Sequence, residues 1–271
     1  MREFKFRSAA QGVLRILYLL EYCWYAERYP NKTIFIAGLP KSGTTWLANM
    51  FASAPGYRRG NPSHVSQKDY NLRQDTFREF DRRLAVIRMH TPPSQENISI
   101  LKQEGIRYCV LYRDLRDVAI SWFYYVKNET DHILHNAVKD MSLNEGIEYF
   151  AQNRLSGYAS WIRGWRENRD KLNSIGITYE VLLRDTRKVF AELARFFSLR
   201  LSDDLLDKIV HDNSFRIQTG RHRGEEDITS FLRKGIEGDW KNQFSETHKQ
   251  KFKVIAGDLL IELGYEKDCR W

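Results

Sequence analysis

The chain has 271 residues, 42% of them hydrophobic and 29% charged, and carries a formal charge of +8. That length buries a full core without disulfide or metal staples and fits one large α/β domain better than two small ones. The positive surplus suits an anionic partner such as nucleotide phosphates, an acidic or sulfated substrate, nucleic acid or a lipid surface, although a merely solvated basic surface gives the same count.

Cysteine usage is sparse: Cys23, Cys109 and Cys269. They show neither zinc-ligand spacing nor an even set for a disulfide framework, which favours a reducing, cytoplasmic compartment. Val13 to Tyr25 (VLRILYLLEYCWY) is apolar, but Arg15 and Glu21 interrupt it. It also falls short of the ~20 residues of a membrane span. No small-residue cleavage site follows, so no signal peptide is expected. The stretch predicts a helix, with residues 1–30 as a helical segment packed on a single domain covering 1–271; a helix lying on a membrane surface is the alternative. No repeat or linker marks a domain boundary.

Thr33 to Ala37 (TIFIA) reads as a buried strand that runs into Gly38-Leu39-Pro40-Lys41-Ser42-Gly43-Thr44-Thr45-Trp46. Thr44 to Ala54 then reads as a helix, stopped by Pro55-Gly56. Small residues between a strand and a helix let backbone N–H groups converge on a phosphate, and the helix N-terminus adds partial positive charge. The spacing from Gly38 to Gly43 is that of a phosphate loop, yet the Lys-Ser/Thr pair expected after the second glycine is replaced by Thr44-Thr45, and the lysine sits inside the loop as Lys41. That pattern suits a single 5′-phosphate with no metal; a ligand-free strand–helix turn is the plainer reading.

Leu84 to Met89 (LAVIRM) is the second strand, followed by His90-Thr91-Pro92-Pro93. A histidine at a strand's carboxyl end, on a turn stiffened by prolines, is well placed for proton transfer near neutral pH. Ser94 to Lys102 predicts a short helix and Tyr108 to Tyr112 (YCVLY) a third strand. Next comes Arg113-Asp114-Leu115-Arg116-Asp117-Val118-Ala119-Ile120-Ser121, with a helix from about Leu115 to Lys127 capped by Asp114. Arg113 and Ser121 would hold a second phosphate by charge-assisted bonds; a salt-bridged helix start, with Arg113 or Arg116 paired to Asp114 or Asp117, is the competing reading. Ile175 to Tyr179 is a shorter strand, followed by helices over Thr186 to Phe197, Ser202 to Val210 and Thr247 to Leu263. The polar stretch Gln218 to Ser230 reads as a mobile lid leading to Arg233-Lys234-Gly235, two cations before a flexible glycine. Strands alternating with helices predict an α/β fold: a single domain with a central parallel sheet flanked by helices, P-loop-like, with its ligand outside the strands' carboxyl ends.

Together these segments resemble the cytosolic-type sulfotransferases that use 3′-phosphoadenosine 5′-phosphosulfate (PAPS) and release 3′-phosphoadenosine 5′-phosphate (PAP). Pro40 to Trp46 matches that family's 5′-phosphosulfate loop. Tyr112-Arg113-Asp114 through Ser121 resembles its 3′-phosphate motif, and Arg233-Lys234-Gly235 with Gly238-Asp239-Trp240-Lys241-Asn242 its C-terminal motif. Met89-His90-Thr91-Pro92 falls where the family has its general base, with Arg88 in place of the usual lysine. Asn213-Ser214-Phe215 and the segment at Tyr179-Glu180 resemble nucleotide-side segments.

The resemblance implies sulfuryl transfer from PAPS, without metal, to a hydroxyl or amine. His90, Lys41 and Ser121 become the catalytic candidates. Lys41 and Ser42, Gly43, Thr44 and Thr45 would hold the 5′-phosphate. Arg113, Ser121, Arg233, Lys234 and Gly235 would hold the 3′-phosphate, and Trp46 and Phe215 would sandwich the adenine, with Tyr179 beside them.

The family's dimer motif is broken here, where Lys241, Ser245-Glu246 and Gln250 stand, which implies a monomer. The expected acceptor is a small molecule or carbohydrate, not nucleic acid, in a pocket drawn from Tyr70, Phe77, Phe80, Trp122, Phe123, Tyr124 and Tyr125. The alternatives are a kinase-like phosphoryl transferase and a non-catalytic polyanion-binding module, the first disfavoured by the missing post-glycine lysine and the second by cations placed at strand ends rather than in one run.

Overall fold

The computed structural model describes residues 19–67 and 69–271. A helix, α1, occupies 19–26 within them. It is followed by β1 (Thr33–Gly38), α2 (Thr44–Ala52), β2 (Tyr57–Gly60), β3 (Leu84–Met89), α3 (Gln95–Gln103), β4 (Tyr108–Tyr112) and α4 (Leu115–Asn128). Then come α5 (His135–Val138), α6 (Leu143–Asn153), α7 (Leu155–Asn168), β5 (Ser174–Thr178), α8 (Tyr179–Arg184) and α9 (Thr186–Phe196). The chain finishes with α10 (Asp203–Asp212), α11 (Phe215–Thr219), α12 (Trp240–Gln243) and α13 (Glu246–Glu262). Residues 13–18 of the expected N-terminal helix lie outside the described residues. Among the described residues no helix is long and apolar enough to cross a membrane.

The five strands form one parallel sheet in the order β2-β3-β1-β4-β5. β1 is central because both its faces are apolar. Ile34 and Ile36 pack with α2, α9 and α10 on one side, while Phe35 and Ala37 pack with Phe77, Phe80, Ile87 and Trp165 on the other. A third core joins α4, α6, α7 and α13. The chain leaves β1 toward β3 on one side and returns to β4 on the other, so the crevice at the carboxyl end of β1 is the topological switch point where ligands of such sheets bind.

Three readings of the sequence need correction. Tyr179 does not end a strand: Thr178 caps α8 by accepting the N–H of Val181, and Tyr179 is the first helical residue. β2 (YRRG) was not expected, since Arg58 and Arg59 mask it; it is a short edge strand whose Tyr57 and Gly60 are buried. The stretch 218–230 is tied down rather than free. Gln218 and Thr219 belong to α11, and Arg221 donates from Nη1 to the carbonyls of Glu225 (2.9 Å) and Arg233 (2.7 Å) and from Nη2 to that of Leu232 (2.6 Å).

α4 lies against α6 where Gly146 has no side chain; a Cβ there would sit 2.0 Å from Cδ2 of Phe123. Overpacking of that kind costs ~1–3 kcal/mol, more than the ~1 kcal/mol of helix propensity alanine gains over glycine. At Gly157, in α7, a Cβ meets nothing within 4 Å. Thermal denaturation should therefore separate the two: Gly146→Ala lowers Tm by a few degrees and Gly157→Ala leaves it unchanged or raises it, at about 2–4 °C per kcal/mol for a domain of this size. Equal shifts would mean that the α4–α6 contact yields without strain.

Candidate active site

The turn after β1 has little room for variation. At Gly38 a Cβ would lie 1.8 Å from Cγ2 of Thr44, so only glycine lets the first residue of α2 fold back over the strand end. Lys41 (φ 65°) and Gly43 (φ 81°) are both left-handed, and a Cβ on Gly43 would press on the Tyr179 ring at 2.8 Å. Gly43 caps α2 without a side-chain hydrogen bond, and the first turn holds no acidic residue. The N–H groups of Thr44, Thr45 and Trp46 thus lack helical acceptors and face the crevice with the positive end of the helix dipole. Ser42 is set differently from its neighbours in the loop. Its N–H is spent on the Leu39 carbonyl (3.3 Å), and its buried hydroxyl has no partner and does not line the cavity.

Lys41 extends into the crevice, its Nζ 4.2 Å from the Tyr125 ring centroid and 4.1 Å from that of Phe231. Among the described residues it has no ion pair. Burial, then repulsion from Arg113, Arg88 and Arg233, lowers its pKa to about 7, with Glu129 opposing weakly.

His90 follows β3 and meets the end of β1, its Nδ1 2.6 Å from the Gly38 carbonyl oxygen. A carbonyl only accepts, so Nδ1 carries the hydrogen and Nε2 of the neutral ring is left with a lone pair. Burial lowers the His90 pKa to about 4, against the Gly38 bond that favours the charged form; Arg88 and Lys41 push it down further. The ring also meets Tyr70 edge-on at 5.1 Å. Its turn is fixed by more than proline: the Thr91 carbonyl accepts from Nε1 of Trp161 (2.9 Å) and Nε1 of Trp165 (3.0 Å), both in α7. α7 was not assigned from sequence, although Tyr158, Ile162 and Trp165 carry the helical spacing of a buried stripe.

After β4 the two arginines divide the two readings between them. Arg116 is structural: it bonds Asp114 from Nε (3.0 Å) and Nη2 (2.7 Å), reaches Glu266 at 2.5 Å, and lies between the rings of Trp240 (3.7 Å) and Trp271 (4.4 Å). Arg113 stacks on Tyr179 at 4.3 Å and donates from Nη2 to the Ile236 carbonyl (2.8 Å) and to Asp117 (3.3 Å), while its buried Nε has no partner. Asp117, named from sequence only as an ion-pair candidate, does more than pair with Arg113. Fully buried, it also accepts the N–H groups of Gly238 (2.7 Å) and Trp240 (3.0 Å), holding the C-terminal loop against β4.

That loop carries Arg233, bonded to Asp239 (2.6 Å) and to Glu226, and Lys234, bonded to Asp239 (2.7 Å). Gly235 (φ 65°) lies against Phe215, where a Cβ would come within 2.6 Å of the ring. Trp46 is turned by a bond from Nε1 to the Asn213 carbonyl (2.9 Å) and meets Tyr179 at 6.1 Å.

One cavity of about 390 Å³ is lined by Lys41, Gly43, Thr44, Thr45, Trp46, His90, Arg113, Ser121, Tyr179, Phe215, Arg233, Lys234 and Gly235. Of the aromatic residues expected at the acceptor end, Tyr70, Trp122 and Tyr125 also line it. Phe77, Phe80 and Phe123 do not: they are core residues, and Tyr124 stacks under Arg233 at 5.1 Å. Arg88, Arg154 and Tyr158 line the cavity as well.

Comparison with known proteins agrees with this geometry. Residues 31–264 match the sulfotransferase domain family. The chain is 26% identical over 270 residues to Sulfotransferase 1E1 of Cavia porcellus, covering 89% of this chain and 88% of that one. It is 27% identical over 258 residues to the 3-beta-hydroxysteroid sulfotransferase of the same species, covering 83% and 82%. Among solved structures, mouse sulfotransferase SULT7A1 complexed with PAP superposes with a TM-score of 0.67 at 22% identity, over 84% of each chain. With strand order, loop geometry and family match in agreement, the chain belongs to the sulfotransferase domain family.

Proposed function

We propose that this sulfotransferase takes its sulfuryl group from PAPS and passes it to a hydroxyl, or an amine, whose proton His90 removes. The observation that carries the reading is the pairing of a neutral histidine with an unpaired lysine at one point. Nε2 of His90 is a free base because Nδ1 is spent on Gly38, and Lys41 forms no ion pair among the described residues, with Glu129 acting on it only from a distance.

The rest of the cavity fits a bisphosphorylated nucleotide. The N–H groups that open α2, with Thr44 and Thr45, suit the 5′-phosphate. Arg113, whose Nε awaits an acceptor, joins Ser121, Arg233, Lys234 and Gly235 for the 3′-phosphate. Trp46, Phe215 and Tyr179 offer aromatic surface to the adenine. In that setting His90 orients the acceptor and takes its proton, and Lys41 offsets the charge that grows on the departing phosphate oxygen. Ser121 lines the same cavity, where its hydroxyl serves the nucleotide and stands near the transfer.

The partners follow from the same residues. The cations are enclosed with aromatic rings rather than spread over a surface, which favours a small molecule or carbohydrate over nucleic acid. Ser245 is consumed as the cap of α13, accepting from the N–H of His248 at 3.2 Å, which supports a monomer. Cys23, Cys109 and Cys269 are free thiols, as suits the cytoplasm.

PAP should raise Tm by mass action, and ATP at equal concentration much less, since ATP lacks the 3′-phosphate. Equal shifts would sink the donor assignment. His90→Ala should reduce kcat ~10²–10⁴-fold with hydroxyl acceptors while PAP affinity stays near wild type. If PAP affinity fell with it, the histidine would belong to the nucleotide site.

Lys41 gives a pH test. Its pKa of about 7 in the free protein rises when an anion arrives, so at pH 8 the mostly neutral amine gains a proton on binding, and at pH 6 it is already charged. Calorimetry of PAP binding in buffers of different ionisation enthalpy should show net proton uptake near pH 8, little at pH 6, and none at pH 8 in Lys41→Met. Uptake unchanged in that variant would assign the proton elsewhere.

A further inference from the structure

α1 packs where Tyr29 precedes β1 and where Tyr57 and Leu84 open β2 and β3. That is the amino end of the sheet, opposite the cavity. Its inner face is fully engaged. Tyr25 stacks on Tyr29 at 6.0 Å, Tyr29 meets Tyr57 at 5.5 Å, and Gly56 leaves room for the Tyr25 ring, which a Cβ there would approach to 2.9 Å. Tyr22 donates to the Asp81 carbonyl (3.1 Å) and Glu21 pairs with Arg58 (2.6 Å). Lys32 closes the helix end by donating to the carbonyls of Ala26 and, at 3.0 Å, Tyr29. The helix is thus firmly mounted on the domain.

The outer face has no such partners among the described residues. Trp24 is 76% exposed, Leu20 62% and Leu19 41%. Leu20 and Trp24 are four residues apart and so lie one above the other on the helix. Single exposed apolar residues are ordinary, but a surface helix normally turns polar groups outward, and here two turns present a continuous apolar patch. The sequence upstream carries the same pattern: Val13, Ile16 and Leu17 precede Leu20 and Trp24 at helical spacing. Further back, Phe4-Lys5-Phe6-Arg7 interleaves rings with cations, and residues 1–18 hold Arg2, Lys5, Arg7 and Arg15 against Glu3 alone. Beside α1, Arg28 and Arg82 are exposed and make no ion pair among the described residues. Arg83 lies over the Phe80 ring at 4.8 Å. Glu27 and Asp81 are the exposed carboxylates nearby, while Glu21 is already matched by Arg58.

An apolar face with cations at its edge fits a partner that is apolar beneath and anionic above, which describes a bilayer with acidic headgroups. Tryptophan is the side chain that settles at the headgroup level, with an apolar body and one polar N–H. A second copy of the chain fits less well: a tryptophan offers ~150–250 Å² and two leucines less, against ~800 Å² per partner in a stable interface. We propose that α1 docks this protein on an anionic membrane surface. Leu19, Leu20 and Trp24 enter the boundary between headgroups and acyl chains, and Arg28, Arg82 and the cations that precede the helix in sequence meet the headgroups. Since the cavity lies at the other end of the strands, the docked protein keeps it open to water. Docking therefore places the protein without gating its site.

The test uses the full chain with unilamellar vesicles, either phosphatidylcholine alone or with about 30 mol% phosphatidylserine. At ~0.1 M salt the wild type should partition onto the mixed vesicles at least about tenfold more than onto the neutral ones, and ~0.5 M salt should remove most of that difference. Leu20→Ser combined with Trp24→Ser should lower the partition about tenfold or more. Tm, PAP affinity and kcat on a soluble acceptor should stay unchanged in that double variant, because both side chains are exposed and neither lines the cavity. Trp24→Leu should still bind, but quenching of tryptophan emission by bromine-labelled lipid, clear in the wild type, should mostly vanish, since no other tryptophan is exposed. Equal partition onto neutral and mixed vesicles overturns the proposal, as does a double variant that binds like the wild type. Quenching that persists in Trp24→Leu overturns it too. A wild-type dimer at micromolar concentration that the double variant abolishes would assign the face to a second copy and overturn the membrane reading.

Discussion

The bond from Nδ1 of His90 to the carbonyl of Gly38 joins two neighbouring parallel strands at the place where both give way to loops. Gly38 serves twice there. Its missing side chain admits Thr44, which sets the first turn of α2, and its carbonyl fixes the tautomer of His90. The loop that presents N–H groups and the histidine proposed to take a proton are therefore held by one residue, and neither can shift without the other. The opposite end of the histidine's turn is held by Trp161 and Trp165 on the Thr91 carbonyl. The role of base proposed for His90 needs this kind of fixation, because placement within a fraction of an ångström is what makes general-base chemistry effective.

Charge is arranged by the same economy of contacts. Asp117 and Asp239 lie almost wholly buried, and each accepts several donors from the loop around Gly235. They place that loop and keep Arg113, Arg233 and Lys234 from repelling one another. Glu180 does the same on the far side, accepting the N–H of Asp114 (3.0 Å) and the hydroxyl of Tyr265 (2.7 Å). The carboxylates thin out toward Lys41, His90 and Arg88. Burial and mutual repulsion there lower the pKa of both Lys41 and His90, since charges interact more strongly where water is excluded.

Much of this was legible in the sequence because it is local. The loop from Gly38 to Trp46, the strand-end histidine and the arginine after β4 are each a few consecutive residues whose chemistry follows from spacing. What was not legible is what joins distant segments. Nothing near Asp117 announces that it will cap a loop more than a hundred residues away. The division of labour between Arg113 and Arg116 depends on Trp240, Glu266 and Trp271, far along the chain. The edge strand at Arg58 and Arg59 has too little apolar alternation to show itself, and the polar composition of 218–230 concealed that Arg221 ties it to three carbonyls. Spacing could not show either that the N–H of Ser42 bonds the Leu39 carbonyl within the turn.

The low pKa of His90 and that of Lys41 are consequences of one crowding rather than separate devices. Burial is the first cause for each, and Arg88 adds repulsion to both. In the free protein this leaves the imidazole neutral and the lysine half-charged near neutral pH, so the cluster is less positive than its residue count suggests. An arriving anion reverses only part of that. The lysine, whose pKa of about 7 lies near neutrality, regains its proton, as the role proposed for it beside a departing phosphate oxygen requires. The histidine, lowered to about 4 and already bonded through Nδ1, stays neutral, as the role of base proposed for it requires. The same crowding that would be a liability in a structural core thus separates the two groups by role, one charged and one neutral, once the negative charge they were built to meet is in place.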